Sequence, residues 1–123
     1  MKKPISPRVH GMIDYATAAA TALMPLLSRP SRSATRTAET WAAGYAILSA
    51  LTNYPLAIKR RIPFKSHGAV DRALSLALPA MPWIIGFARD RRARNFFLGL
   101  AAVSVVVTVL TDWDSNPAEN TGW

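Results

Sequence analysis

Two short stretches hold the side chains best suited to chemistry in this chain: HGMID, from His10 to Asp14, and HGAVD, from His67 to Asp71. Helical positions four apart share a face, so each stretch stacks an imidazole against a carboxylate. Neutral imidazole nitrogen and carboxylate oxygen are ligands for a divalent metal, and two such pairs on facing helices would offer four. The same two His could instead ligate a haem from opposite sides. Asn53 and Asp112, near the ends of two later apolar segments, are candidates for a supporting shell. The dinuclear pattern known from helix bundles, Glu-x-x-His with bridging carboxylates, is not the pattern here. Two other uses of these groups stand beside ligation. In one, each His donates to an Asp, Asn53 and Asp112 cap the network, and the cluster fixes helix register, as polar groups in membrane bundles often do. In the other, protons or ions move along the polar stripes. The stripes fade where Ala80, Trp83, Ile84 and Phe87 lie, so conduction would need an oligomer.

The elements that must position these groups are apolar. The chain has 123 residues, half of them hydrophobic, a net charge of +8 and no cysteine. One domain spanning 1–123 is expected at this length. The missing cysteine removes disulfides, thiolate catalysis and sulfur-ligated metals. Uncharged stretches run over roughly Tyr15–Ser28, Thr40–Ile58, Ala73–Ala88 and Asn95–Thr111. Each is near the about 17–25 residues that span a bilayer core. Blocks of Arg and Lys lie between them: Arg29, Arg32 and Arg36, then Lys59, Arg60, Arg61 and Lys65, then Arg89 to Arg94. Cationic blocks at the ends of apolar spans meet headgroups and attract anionic lipid. No stacking or groove-entering motif accompanies the charge, so a nucleic-acid partner is not expected. "MKK" before an Ala-rich run has the look of a signal peptide. Asp14, Pro25 and the later copy of the segment make it the first structural span instead.

The chain is written twice. Shifting it by 57 positions lays His10, Gly11, Asp14, Met24 and Pro25 on His67, Gly68, Asp71, Met81 and Pro82. Shifting it by 59 lays ALTNY, Ala50 to Tyr54, on VLTDW, Val109 to Trp113. Repeat one covers about 8–56 and repeat two about 65–115, with a polar tail at about 116–123. Such a period must be read before any fold is assigned. With "MPL" at Met24–Leu26 and "AMPWIIGF" at Ala80–Phe87, the arrangement resembles the SPW-repeat family of small bacterial membrane proteins. Pro82 and Trp83 match that motif in the second copy and Pro25 alone in the first, Met standing where the family has Ser. The resemblance implies an integral membrane protein of four helices and brings no established activity with it.

An all-α, four-span transmembrane bundle of two tandem, parallel helix hairpins is therefore expected, because an even number of spans per repeat gives both copies the same orientation. Both termini then share one face with both HGxxD stretches. That face carries eight Lys and Arg against seven opposite, a small bias toward the cytoplasm for the termini of an inner-membrane protein. Small residues such as Ala42, Gly44, Gly99 and Ala102 would let helices approach closely. Trp41, Trp83, Phe96 and Phe97 at one boundary, with Tyr15, Tyr54 and Trp113 at the other, read as aromatic belts. The expected role is structural or accessory, as a homo-oligomer or a subunit of a larger membrane complex. Nothing marks an enzyme: there is no Ser/His/Asp set, no Gly-rich phosphate loop, and HGxxD lacks the second His and the Glu of a zinc-protease helix.

Overall fold

The computed structural model describes residues 2–116, and the expected polar tail lies outside that range apart from Asn116. The protein is all-helical, with no extended strand among the described residues: α1 (Pro7–Ser28), α2 (Arg32–Leu51), α3 (Phe64–Ala77), a 3₁₀ turn (Leu78–Ala80), α4 (Met81–Ile85) and α5 (Arg91–Leu110).

Local chemistry sets the boundaries. Ser6 caps α1 by accepting from the Val9 N–H, with Pro7 in the first turn, and Arg29 ends the helix in the left-handed region (φ 47°) just before Pro30. Ser31 and Asp90 cap α2 and α5 in the same way, accepting from the Ala34 and Ala93 N–H groups. These are standard N-cap bonds to otherwise orphaned donors. α2 thus begins at Arg32, eight residues before the expected span, and its first two turns carry Arg32, Arg36 and Glu39. The third helical segment is shorter and broken. Pro79 and Pro82 lack the N–H that would continue the ladder, so α3 passes through the 3₁₀ turn before α4 closes at Gly86 (φ 100°).

The interior has two layers. At the end where α1 turns into α2 and α4 into α5, apolar side chains meet: Met24, Ala34, Ala38, Leu78, Phe87 and Phe97 are core. At the other end most buried side chains are polar, including His10, Asp14, Thr52, His67, Asp71 and Thr111, with the rings of Tyr54 and Phe64 among them. The outer surface reverses this, for Leu26, Leu27, Leu76 and Ile84 are all at least 74% exposed. One described helix, α5, is long and apolar enough by itself to cross a membrane, with mean hydropathy 1.9 over a window that is 28% buried.

The duplication is visible in the backbone. Ile5 pairs with Thr111 in a single parallel bridge and Ile62 pairs with Thr52 in another. Ile5 and Ile62 are 57 apart, and Thr52 and Thr111 are 59 apart, so the two bridges are the same contact made twice. Each lays the segment entering an HGxxD helix against the end of a second helix. At the opposite end, the Ser31 N–H donates to Asp90 Oδ2 at 2.7 Å, tying the two basic turns together. The RDRRAR run is therefore a capping turn as well as a charged one.

Candidate metal centre

All four residues of the two HGxxD pairs converge. His10, Asp14, His67 and Asp71 are at most 5% exposed, and one ligand atom from each lies within 4.8 Å of every other. His10 Nε2 is 3.3 Å from Asp14 Oδ1 and 3.0 Å from Asp71 Oδ2. His67 Nε2 is 3.1 Å from Asp14 Oδ2 and 3.2 Å from Asp71 Oδ2. Each imidazole nitrogen thus faces a carboxylate from its own repeat and one from the other.

The proton on each ring is fixed from behind. Thr111 Oγ1 donates its one proton to the Val107 carbonyl at 2.6 Å, so its contact with His10 Nδ1 at 2.7 Å requires Nδ1–H to be the donor. Thr52 repeats this with the Leu48 carbonyl at 2.6 Å and His67 Nδ1 at 2.6 Å. With both Nδ1 positions protonated, the Nε2 atoms aim either a lone pair or a second proton at the carboxylates. Bare lone pairs against two carboxylates repel, so positive charge belongs between them, as protons shared by nitrogen and carboxylate oxygen or as a bound metal ion.

Two tyrosines complete the acceptor side. Tyr45 Oη lies 2.5 Å from Asp71 Oδ1 and 3.2 Å from Asp14 Oδ1, and its single proton goes to the nearer Asp71. Tyr54 donates to Asp14 Oδ2 at 3.2 Å. Burial first, and the Asp14 charge second, push the Tyr54 phenol well above its usual range, so it stays a neutral donor. In repeat two Ser104 stands in the place of Tyr45, and beside it a cavity of about 20 Å³ opens over Asp14 and Asp71. That is room for one water-sized group. No macrocycle fits between rings whose centroids are 5.3 Å apart, so the geometry does not suit haem.

The glycine of each motif makes room for an aromatic ring. A Cβ on Gly68 would stand 2.9 Å from the Trp113 ring, and one on Gly11 would stand 3.3 Å from the Tyr54 ring. Trp113 has little freedom to withdraw, since its Nε1–H donates to the Thr108 carbonyl at 2.9 Å and its ring packs on His10 and Phe64. Gly68→Ala is therefore expected to destabilise by about 1–3 kcal/mol from overpacking, less the roughly 1 kcal/mol that Ala gains in helix propensity. Gly11→Ala should be close to neutral. Comparing the two unfolding transitions in detergent checks the difference.

Asn53 and Asp112 stand one residue beyond the groups that reach the imidazoles. Their backbone N–H groups bond Ile62 O and Ile5 O, and among the described contacts the outer partners of the rings are Thr52 and Thr111. Tyr54 and Trp113 pack within the site, against the expectation of an aromatic belt. Both threonines and both rings do lie in the repeated LTNY and LTDW stretches, which is the signal that points to them. Comparison with protein-family models, with curated proteins and with solved structures finds no match for this chain.

Proposed function

We propose that the chain is a small integral membrane protein whose two hairpin repeats are clamped by one divalent metal ion held by His10, Asp14, His67 and Asp71, and that it serves an accessory rather than an enzymatic role. The observation that carries the metal is the near-equal spacing of each Nε2 from two carboxylates, 3.0 to 3.3 Å throughout. A proton on nitrogen points at one acceptor, whereas an ion at the centre is shared by all four groups. Ligands about 2.0–2.2 Å from a tetrahedral zinc-class ion stand about 3.3–3.6 Å from one another; the nitrogen–oxygen contacts are of that order, and the widest pairs, within 4.8 Å, would draw in on binding. Two carboxylates also neutralise a dication, so the centre is buried without net charge.

The membrane assignment is supported by the large exposed apolar side chains that surround an interior polar at one end, together with cationic residues at both ends. Counting α3 to α4 as one broken segment, each of the four helical segments is about 30–33 Å long at 1.5 Å per residue, close to a bilayer core. Of the polar residues that lower the hydropathy of the first three, Thr21, Ser49 and Ser75 are buried, while Arg32, Arg36, Glu39, Lys65 and Arg72 are exposed. Tandem hairpins in parallel are also what the resemblance to SPW-repeat chains leads one to expect.

Metal analysis of detergent-extracted, chelator-stripped protein reloaded with Zn²⁺ or Mn²⁺ tests the centre. One ion per chain is expected, absent from the His10→Ala, His67→Ala double variant. Reloading should raise the melting temperature, by an amount equivalent to about 2.7 kcal/mol at a hundredfold excess over Kd. Binding should weaken as pH falls, because protons compete for Nε2. Stripped protein that neither binds these ions nor changes its melting temperature would show a purely protonic clamp. Carbonate-resistant retention in the membrane fraction tests the location separately.

A further inference from the structure

A groove of about 600 Å³ separates α2 from the broken third segment. Its walls are Trp41, Leu48, Leu74, Met81 and Ile85, its floor is Gly44, and Arg36 stands at one end. We propose that this groove holds one acyl chain of an anionic membrane phospholipid, with the lipid head group on Arg36. The proposal rests on the membrane reading above and is independent of the metal.

Three features single out that occupant. The groove is apolar along α2 from Leu48 to Arg36, about 18 Å at 1.5 Å per residue, and its volume lies within the roughly 300–1,000 Å³ of ligand sites. A Cβ on Gly44 would meet nothing within 4 Å, so the floor is open rather than filled by a neighbour. Arg36 is exposed and enters none of the ion pairs among the described residues. It lies toward the end where the basic turns meet, the level at which headgroups would lie.

The second repeat supplies an internal comparison. Its equivalent groove, between α5 and α1, is about 350 Å³. There Asn95 stands where repeat one has Arg36, Leu100 replaces Trp41, and Val103 replaces Gly44. The larger groove has a cation in its own lining, whereas at the smaller one the Arg94 guanidinium is engaged by the Asn95 amide and the Ala88 carbonyl. An uncharged occupant would use either groove without needing Arg36, whereas an anionic amphiphile is better served by the first, whose arginine enters no ion pair among the described residues. The deep end of the groove reaches Tyr45, stacked on Trp41 at 5.9 Å, and the Tyr45 hydroxyl bonds Asp71. A bound chain would thus press on a ring that belongs to the His/Asp centre.

Native mass spectrometry of the full-length protein, offered equal phosphatidylglycerol and phosphatidylcholine of matched chains, tests this. The wild type is expected to retain one phosphatidylglycerol per chain. Gly44→Phe should lose it, while Gly99→Phe, in the smaller groove with an equally open Cβ, should keep it. Arg36→Gln should lose about fivefold in preference for phosphatidylglycerol, the equivalent of about 1 kcal/mol for one cation at a charged surface. A second measurement needs no substitution in the floor: phosphatidylglycerol with brominated chains should quench a component of fluorescence that Trp41→Phe removes. Lipid retention unchanged by Gly44→Phe, preference unchanged by Arg36→Gln, or quenching with no Trp41 component would overturn the proposal. Failure of the membrane reading would appear independently, as release of the protein from the membrane fraction by carbonate.

Discussion

Asp71→Ala is expected to lower the unfolding free energy by about 3–5 kcal/mol, the largest effect of any single substitution considered. Asp71 Oδ2 lies 3.0 and 3.2 Å from the two Nε2 atoms and Oδ1 accepts from Tyr45, so one truncation strips a partner from two buried imidazoles and a half-buried phenol. What remains is two imidazoles facing Asp14 alone, with their Nδ1 protons still held by threonine. With one carboxylate gone, charge balance fails whether the cation is a metal or protons. Asp71→Asn keeps the volume and one acceptor oxygen, and should fall between wild type and Ala. Asp114→Ala is the control, because its ion pair with Lys65 is exposed on both sides and should change stability by no more than about 0.5 kcal/mol. Equilibrium unfolding in mixed micelles, followed by circular dichroism, reads all three. A loss below 1 kcal/mol for Asp71→Ala would mean that the centre does not hold the repeats together.

Thr52→Val and Thr111→Val should each weaken metal affinity by about 10–100-fold without touching a ligand. Valine keeps the shape of threonine and removes the oxygen that accepts from Nδ1–H. The ring then gains by moving its proton to Nε2, where it blocks the lone pair that would bind the ion. Serine at either position restores the acceptor and should restore most of the affinity. Competition against a chromophoric chelator measures both. Equal affinity in the valine variants would show that the threonines do not set the tautomer.

The centre was largely legible in the sequence, and its outer partners were not. Repetition of HGxxD brings four groups to one place once two hairpins are related by a twofold, and the helical spacing of four stacks each pair. Asn53 and Asp112 were expected to support them by the same spacing, counted upward from Ser49 and Thr108. The count fails because both helices stop first. Thr52 (φ −80°, ψ 138°) and Thr111 (φ −77°, ψ 136°) are extended, held by the bridges to Ile62 and Ile5. An extended residue points the opposite way from its neighbour, so threonine turns inward and the next side chain does not. The limits of the apolar segments were misplaced for a related reason. Absence of charge marks where a helix can meet lipid, whereas caps such as Ser31 and kinks such as Pro79 mark where it begins and breaks. Tyr45 lies four residues before Ser49 on one face of α2, but its partner Asp71 comes from the other repeat, and pairings across repeats have no spacing to reveal them.

The exchange of partners between the repeats bears on where the protein came from. His10 takes its threonine from the last helix and His67 takes its threonine from the second, so neither hairpin contains a complete environment for its own histidine. A solitary ancestral hairpin could have satisfied that need only by facing a copy of itself across a twofold axis, each subunit lending the other its threonine. Fusion of two such genes would have made the pair covalent and released it from identity. Tyr45 against Ser104 and Arg36 against Asn95 are the kind of departures a homodimer cannot make, since there every change appears on both sides at once.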